Sequence, residues 1–370
     1  MRKTLGKLTL VLAFAAATAS ISLSARPTAG PSLTSIGALA FAADGTMFAA
    51  DPMAATIFAL NVSSIPAGAA GTVDVPALDQ KIAALVGTEP AQIAIRDIAV
   101  HPTSHNTFVS VMRGQGAAAQ PALVRVDGAG KIVLASLDEM KFTSVTLPNP
   151  AAVSTTGRNN RTQSITRMAL VDGKLYVTGL SNEEFSSKFW SIPYPFVEVK
   201  VGQPVPAVKI DGGTSVEIWH TSHARFETNA PILTFVTNKT NGQTSFIAGY
   251  TCTPLVRFPA SDLKPGAKVR GTTIAELGAG NQPIDMVLYK KDGREYVLMA
   301  NTRHGVLKIA TDQFGTAAGL TEPVPGTAGV PAEKITSLTE VVQLDLLDAT
   351  HTVLLSRADG AMNLRAVVLP

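Results

Sequence analysis

Residues 36–60 read IGALAFAADGTMFAADPMAATIFAL. Apolar residues run to Ala42, Asp44-Gly45 interrupts them, a second apolar run follows, and Asp51-Pro52 breaks it before a third run ending at Leu60. An Asp-Gly pair between alternating apolar runs is a strong hairpin signal, because the turn needs a positive φ that glycine adopts without steric cost. This stretch therefore predicts three short antiparallel strands in immediate succession.

The same order recurs along the chain. Ile95–Val126 repeats it with His101-Pro102 at the first turn, 165–192 with Asp172-Gly173, and 231–258 with Asn241-Gly242. Pro283–Ile309 turns at Asp292-Gly293, and 341–368 turns near Asp348. Phe48, Val109, Val177, Ile247, Leu298 and Leu354 are equivalent second-strand positions, roughly 61 residues apart on average, a period that points to β-propeller blades carrying inserts. Ile132–Leu137 and Thr272–Leu277 supply outer fourth strands, and Leu78–Val86 has helical spacing between the first two blades. The last repeat ends at Pro370 without a fourth strand. An N-terminal strand, from the residues just before Ile36, is expected to close the ring and cover the edge that a linear array would expose. The expectation is all-β: one six-bladed β-propeller over 26–370, with a seventh blade possible inside a long insert.

The run Ala43-Asp44-Gly45-Thr46-Met47-Phe48-Ala49-Ala50-Asp51 resembles the blade signature of NHL-type, YVTN-type and SMP-30-like propellers. That resemblance implies a propeller, and it spans lactonases, quinone-dependent dehydrogenases and pure binding scaffolds, so it leaves function open. SMP-30-like hydrolases hold a divalent ion in the central channel through Glu, Asn and Asp. Asn281-Gln282-Pro283-Ile284-Asp285 and Asn301 match part of that set, whereas the early Glu is missing because the first repeat enters through Ser35-Ile36-Gly37.

The formal charge of +3 has one source: Arg2, Lys3 and Lys7 precede Leu8, and no acid occurs before Asp44. Without those three residues the bases and acids balance, which removes the basic patch that nucleic-acid binding requires. The same three residues, the apolar run Leu8–Ala19 and the small residues after it predict a cleaved signal peptide over 1–25. The mature protein is thus expected to be periplasmic or secreted, without a stable membrane span, and monomeric. Cys252 is the single cysteine. It reads as a buried small hydrophobe, with a reactive thiol or a metal ligand as alternatives.

Two sets of residues suit chemistry. The loops after each second strand open on one propeller face and carry Asp51, Arg113, Glu183, Glu184, Asn301, Arg303, His304 and Arg357. Charge is scarce in this chain, so both signs on one rim favour a small polar ligand or a protein partner. The other reading is solvated loop ends with local ion pairs. The second set is His220, His223 and Glu227 in the run leading to the fourth blade, with Cys252 expected on the same face. Imidazoles, a carboxylate and a thiolate suit a divalent metal, Zn or Cu, with Fe an option for the imidazole–carboxylate part and Ca for an oxygen-rich site. Loop histidines held by hydrogen bonds are the alternative. Two functions follow: an exported scaffold that binds a ligand at its rim, or a metal-dependent hydrolase or oxidoreductase. The chain carries no Gly-x-Ser-x-Gly elbow, P-loop, haem-attachment or dinucleotide motif.

Overall fold

In the computed structural model the described residues are 30–138, 140–154, 156–157, 159–196 and 210–370; the expected signal peptide lies outside them. Their strands form six sheets, and Leu78–Val86 (helix α1) is their only α-helix. Each sheet is built outward from an inner strand as an antiparallel array, and in one of them Lys268–Arg270 is added in parallel to Thr214–His220. Numbered along the chain, the blades begin with Leu39–Phe41, Ile93–Val100, Arg167–Val171, Ile232–Thr240, Pro283–Lys291 and Val341–Leu346. The turns form where the sequence places them. Asp172-Gly173, Asn241-Gly242 and Asp292-Gly293 all have positive φ at both positions, the geometry that joins two twisted strands without splaying them.

Six hydrophobic clusters weld the sheets into a ring, each shared by two neighbours. Phe48 and Ile57 of blade 1 pack with Val177 and Trp190 of blade 3. Met47 and Leu60, on the other face of blade 1, pack with Phe108 and Leu123 of blade 2. Val109 and Val124 of blade 2 meet Val353 and Leu364 of blade 6, with Leu78 and Ile82 of α1 between them. The remaining clusters join blades 3 and 4, 4 and 5, and 5 and 6. The spatial order is therefore 2-1-3-4-5-6, so blade 2 sits between blades 6 and 1.

This order comes from the path of the chain. After Thr56–Leu60 it crosses blade 2, where Gly68 N donates to Asn106 Oδ1 at 2.8 Å and the Arg125 guanidinium donates to the Pro66 carbonyl. It then adds Asp74–Val75 to the outer edge of Ala361–Val368, pairing Val75 with Leu364. Blade 2 follows, and Phe142–Thr146 returns to complete blade 1 beside Thr56–Leu60. The last blade thus receives its closing strand from the N-terminal part of the chain, but from 74–75 and not from residues just before Ile36. Those residues are held elsewhere: the backbone N–H groups and hydroxyls of Thr34 and Ser35, four donors in all, bind the buried carboxylate of Asp51.

Val75 is 1% exposed inside the cluster shared by blades 2 and 6. A Val75→Asp variant buries an unpaired carboxylate there and is expected to lose about 3 kcal/mol or more of stability. Urea unfolding measures this, and an unchanged midpoint would deny 74–75 its closing role.

Around the channel, side chains of the inner strands clasp the next blade. Asp285 Oδ2 accepts Leu344 N at 3.0 Å, Asp345 Oδ2 accepts Val100 N at 2.7 Å, and Asp97 Oδ2 accepts Leu39 N at 2.7 Å. These bonds run 5 to 6, 6 to 2 and 2 to 1, the order that the clusters give. Each carboxylate also accepts the N–H of its own following residue. Among the described residues one cation faces them: Arg167 of blade 3 lies 2.9 Å from Asp285 Oδ1. Burial raises Asp97 to about 7 and Asp345 to about 6, and it raises Asp285 as well, although Arg167 pulls all three down.

Candidate metal centre

The fourth strand of blade 3, Thr214–His220, ends in a 3-10 turn over Thr221–His223. Ala224 then takes a left-handed conformation (φ 50°), and the chain doubles back as Arg225–Glu227, pairing Arg225 with His220 and Glu227 with Ile218. This reversal converts a loose sequence spacing into a cluster. His220 is therefore the last residue of a strand and not a loop residue. The loop 251–253 of blade 4, between Gln243–Tyr250 and Pro254–Pro259, brings Cys252 against the same hairpin. One ligand atom each from His220, His223 and Cys252 lies within 4.8 Å of the others.

The two imidazole rings are 4.0 Å apart between centroids. Glu227 sits between them, with Oε1 2.7 Å from His223 Nδ1 and Oε2 3.1 Å from His220 Nδ1. The second is an ion-pair contact, and the buried His220 Nδ1 has no other partner among the described residues. His220 Nε2 lies 3.1 Å from the hydroxyl of the buried Thr253. Arg225 also reaches Glu227 Oε1, through Nε at 3.1 Å. His220, together with His223 and Arg225, holds the Glu227 carboxyl down at about 2, against the upward push of partial burial. Burial moves Cys252 the other way: the thiol is raised, with Glu227 and Glu276 adding to the effect and Thr253 opposing it. An unmetallated Cys252 is thus a protonated thiol at neutral pH and a poor nucleophile.

Glu276 is the part of this cluster that the sequence did not disclose. It is 1% exposed on the fourth strand of blade 4 (Thr272–Leu277), and its Oε2 accepts a hydrogen bond from Thr221 Oγ1. Its signal was a lone acid in an apolar outer strand, which reads as an outward-facing residue until the neighbouring blade is in place.

The rim residues lie on one propeller face but do not meet at one pocket. Asp51 is fully buried and saturated by the donors from Thr34, Ser35 and Ala54, so its carboxylate locks the N-terminal approach and is not presented to a ligand. Asn301 is buried too, accepting from Asn281 Nδ2 at 2.9 Å and donating to the Met299 carbonyl. Glu183 pairs with the buried Lys188 at 2.6 Å. Glu184 and Arg303 are exposed. Arg113, His304 and Arg357 line three separate clefts, the last of about 660 Å³. The channel position Asp285, read in sequence as part of an oxygen-rich ion site, is taken up by Arg167 and two backbone N–H groups.

No helix among the described residues is long and apolar enough to cross a membrane. The sequence matches no protein-family model and no curated protein. Solved structures give distant likenesses. A chain of a mitotic checkpoint complex is 10% identical with a TM-score of 0.34, covering 99% of this chain and all of its own. The β-propeller domain of Cps50 (Swd1) from Myceliophteria thermophila is 8% identical with a TM-score of 0.34, covering 92% of this chain and 98% of its own. The dihydro-heme d1 dehydrogenase NirN is 12% identical with a TM-score of 0.32; the match covers 88% of this chain and 62% of NirN. Likenesses this distant carry no functional argument, and the six-bladed ring rests on its own sheets and clusters.

Proposed function

We propose that this chain is an exported β-propeller that binds one divalent transition metal at the seam between blades 3 and 4, through His220, His223 and Cys252, with Glu227 bracing the imidazoles. One observation carries the reading: ligand atoms of three residues from two blades lie within 4.8 Å of one another, beside a carboxylate that is 2.7 and 3.1 Å from the two imidazoles. Two nitrogens and a sulfur suit zinc or copper and do not suit calcium, which takes oxygen ligands. A carboxylate hydrogen-bonded to a ligand histidine is the usual way in which a metal site fixes ring orientation.

Protein purified without chelators or added metal is expected to contain about one zinc or copper per chain. The His220→Ala/His223→Ala double variant is expected to contain none. Elemental analysis decides: metal content near zero in the wild type after zinc or copper has been offered at micromolar concentration would end the proposal.

A second reading has its own support. The cleft of about 660 Å³ at blade 6 is lined by Asp74, Glu340, Arg357, Asp359 and Arg365. Groups of both signs in one concave site suit a polar ligand or a charged peptide segment of a protein partner. Loss of that ligand on Arg357→Ala, with metal content unchanged, would separate this site from the metal centre.

A further inference from the structure

Three protein ligands do not fill the tetrahedral sphere that zinc adopts; closed structural sites use four, and reactive ones leave a position to water or substrate. Glu227 is not free to be the fourth ligand, because its Oε1 already accepts from His223 and Arg225 and its Oε2 faces His220. Glu276 stands differently. On its strand Ala275 and Leu277 pack toward blade 5, so the Glu276 side chain projects to the opposite face, toward blade 3 and the metal cluster. There Oε2 accepts from Thr221, the neighbour of His220, and the negative charge acts on the Cys252 thiol. Its Oε1 is buried and has no hydrogen-bond partner. Glu276 does not belong to the group of ligand atoms within 4.8 Å of one another. A buried carboxylate oxygen without a donor is costly, and an ordered water is the common remedy.

Resting on the metal reading above, we infer that the centre is open: the metal held by His220, His223 and Cys252 carries a water or a small anion in its fourth position, and Glu276 Oε1 accepts the hydrogen bond of that water. The approach is exposed on one side, where the His223 side chain is 45% accessible, whereas His220 and Glu276 are buried. A metal with an exchangeable oxygen ligand beside a buried hydrogen-bond acceptor is equipped to polarise or add water to a bound substrate, whereas a filled site only holds two blades together. Glu276 is a positioning residue in this arrangement, since it acts through the water.

The test is a titration of the Co(II)-loaded full chain with azide, followed by visible absorption. Thiolate-to-cobalt absorption reports that the metal is seated. Azide is expected to change the d–d bands saturably, with one anion per metal. Glu276→Gln removes a negative charge beside the open position and is expected to tighten azide about tenfold, while Glu276→Asp, which keeps the charge, is expected to leave its affinity within about twofold. Failure of cobalt to bind would overturn the metal reading itself. Bound cobalt whose spectrum ignores azide would overturn the open position. An azide response that Glu276→Gln leaves unaltered would overturn the role of Glu276.

Discussion

Replacing Arg167 with methionine is expected to destabilise the protein by about 3–5 kcal/mol at pH 8, the cost of removing one partner from a buried ion pair and leaving the other charge uncompensated. Among the described residues Arg167 is the single cation facing Asp97, Asp285 and Asp345, of which the first two are buried and the third half-buried, and all three are hydrogen-bonded to the neighbouring blade. Methionine fills similar volume, so the loss reports charge and not a cavity. The pH dependence follows from the direction of the shifts. The folded pKa values of Asp97 and Asp345, about 7 and about 6, lie above the ordinary carboxylate range, so the folded state holds protons that the unfolded state releases. For such groups the stability present below pH 4 declines as pH rises through 4 to 7. Arg167 holds these values down, and without it they rise further. The defect of Arg167→Met is therefore expected to be large at pH 8 and to shrink toward pH 5. Chemical denaturation at both pH values measures it; a loss that is equal at the two would show that Arg167 acts by packing.

The second large effect concerns the metal. His220→Ala is expected to weaken zinc binding at least 100-fold, more than the 10–100-fold expected for Glu227→Gln, because removing a ligand exceeds the typical cost of removing a partner that only orients one. His220 is fully buried, whereas Glu227 touches both imidazoles at their Nδ1 atoms. Competition with a chromophoric chelator ranks the two variants. If Glu227→Gln proved the more damaging, Glu227 would be a ligand and His220 its support.

Much of the ring was legible in the residues. Asp172-Gly173, Asn241-Gly242 and Asp292-Gly293 mark their hairpins because a two-residue turn demands positive φ, a local requirement that composition reveals. Thr272–Leu277 and Ile132–Ala135 were legible as outer strands for the same local reason. The candidate metal set was also legible as residue types, but its geometry was not: His220 and Glu227 meet because Ala224 reverses the chain, and Cys252 joins them because blade 4 lies beside blade 3. The rim misled in part. Asp51 and Asn301 have the polarity of ligand-binding residues, yet their carboxylate and amide groups are consumed by loops that need donors and acceptors.

By itself the sequence determined the fold class, a ring of six blades with a seventh left open, and the residue types available for metal chemistry, since strand alternation and turn chemistry are short-range properties; the six sheets of the structure fixed the count. Tertiary structure alone decided the order of blades around the ring, the closing strand at Asp74–Val75, the channel clasp around Arg167 and the hydrogen bond that ties Glu276 to Thr221, next to His220. Every one of these depends on which blade faces which. That choice is made by complementary packing between residues distant in sequence, and a repeat period carries no record of it.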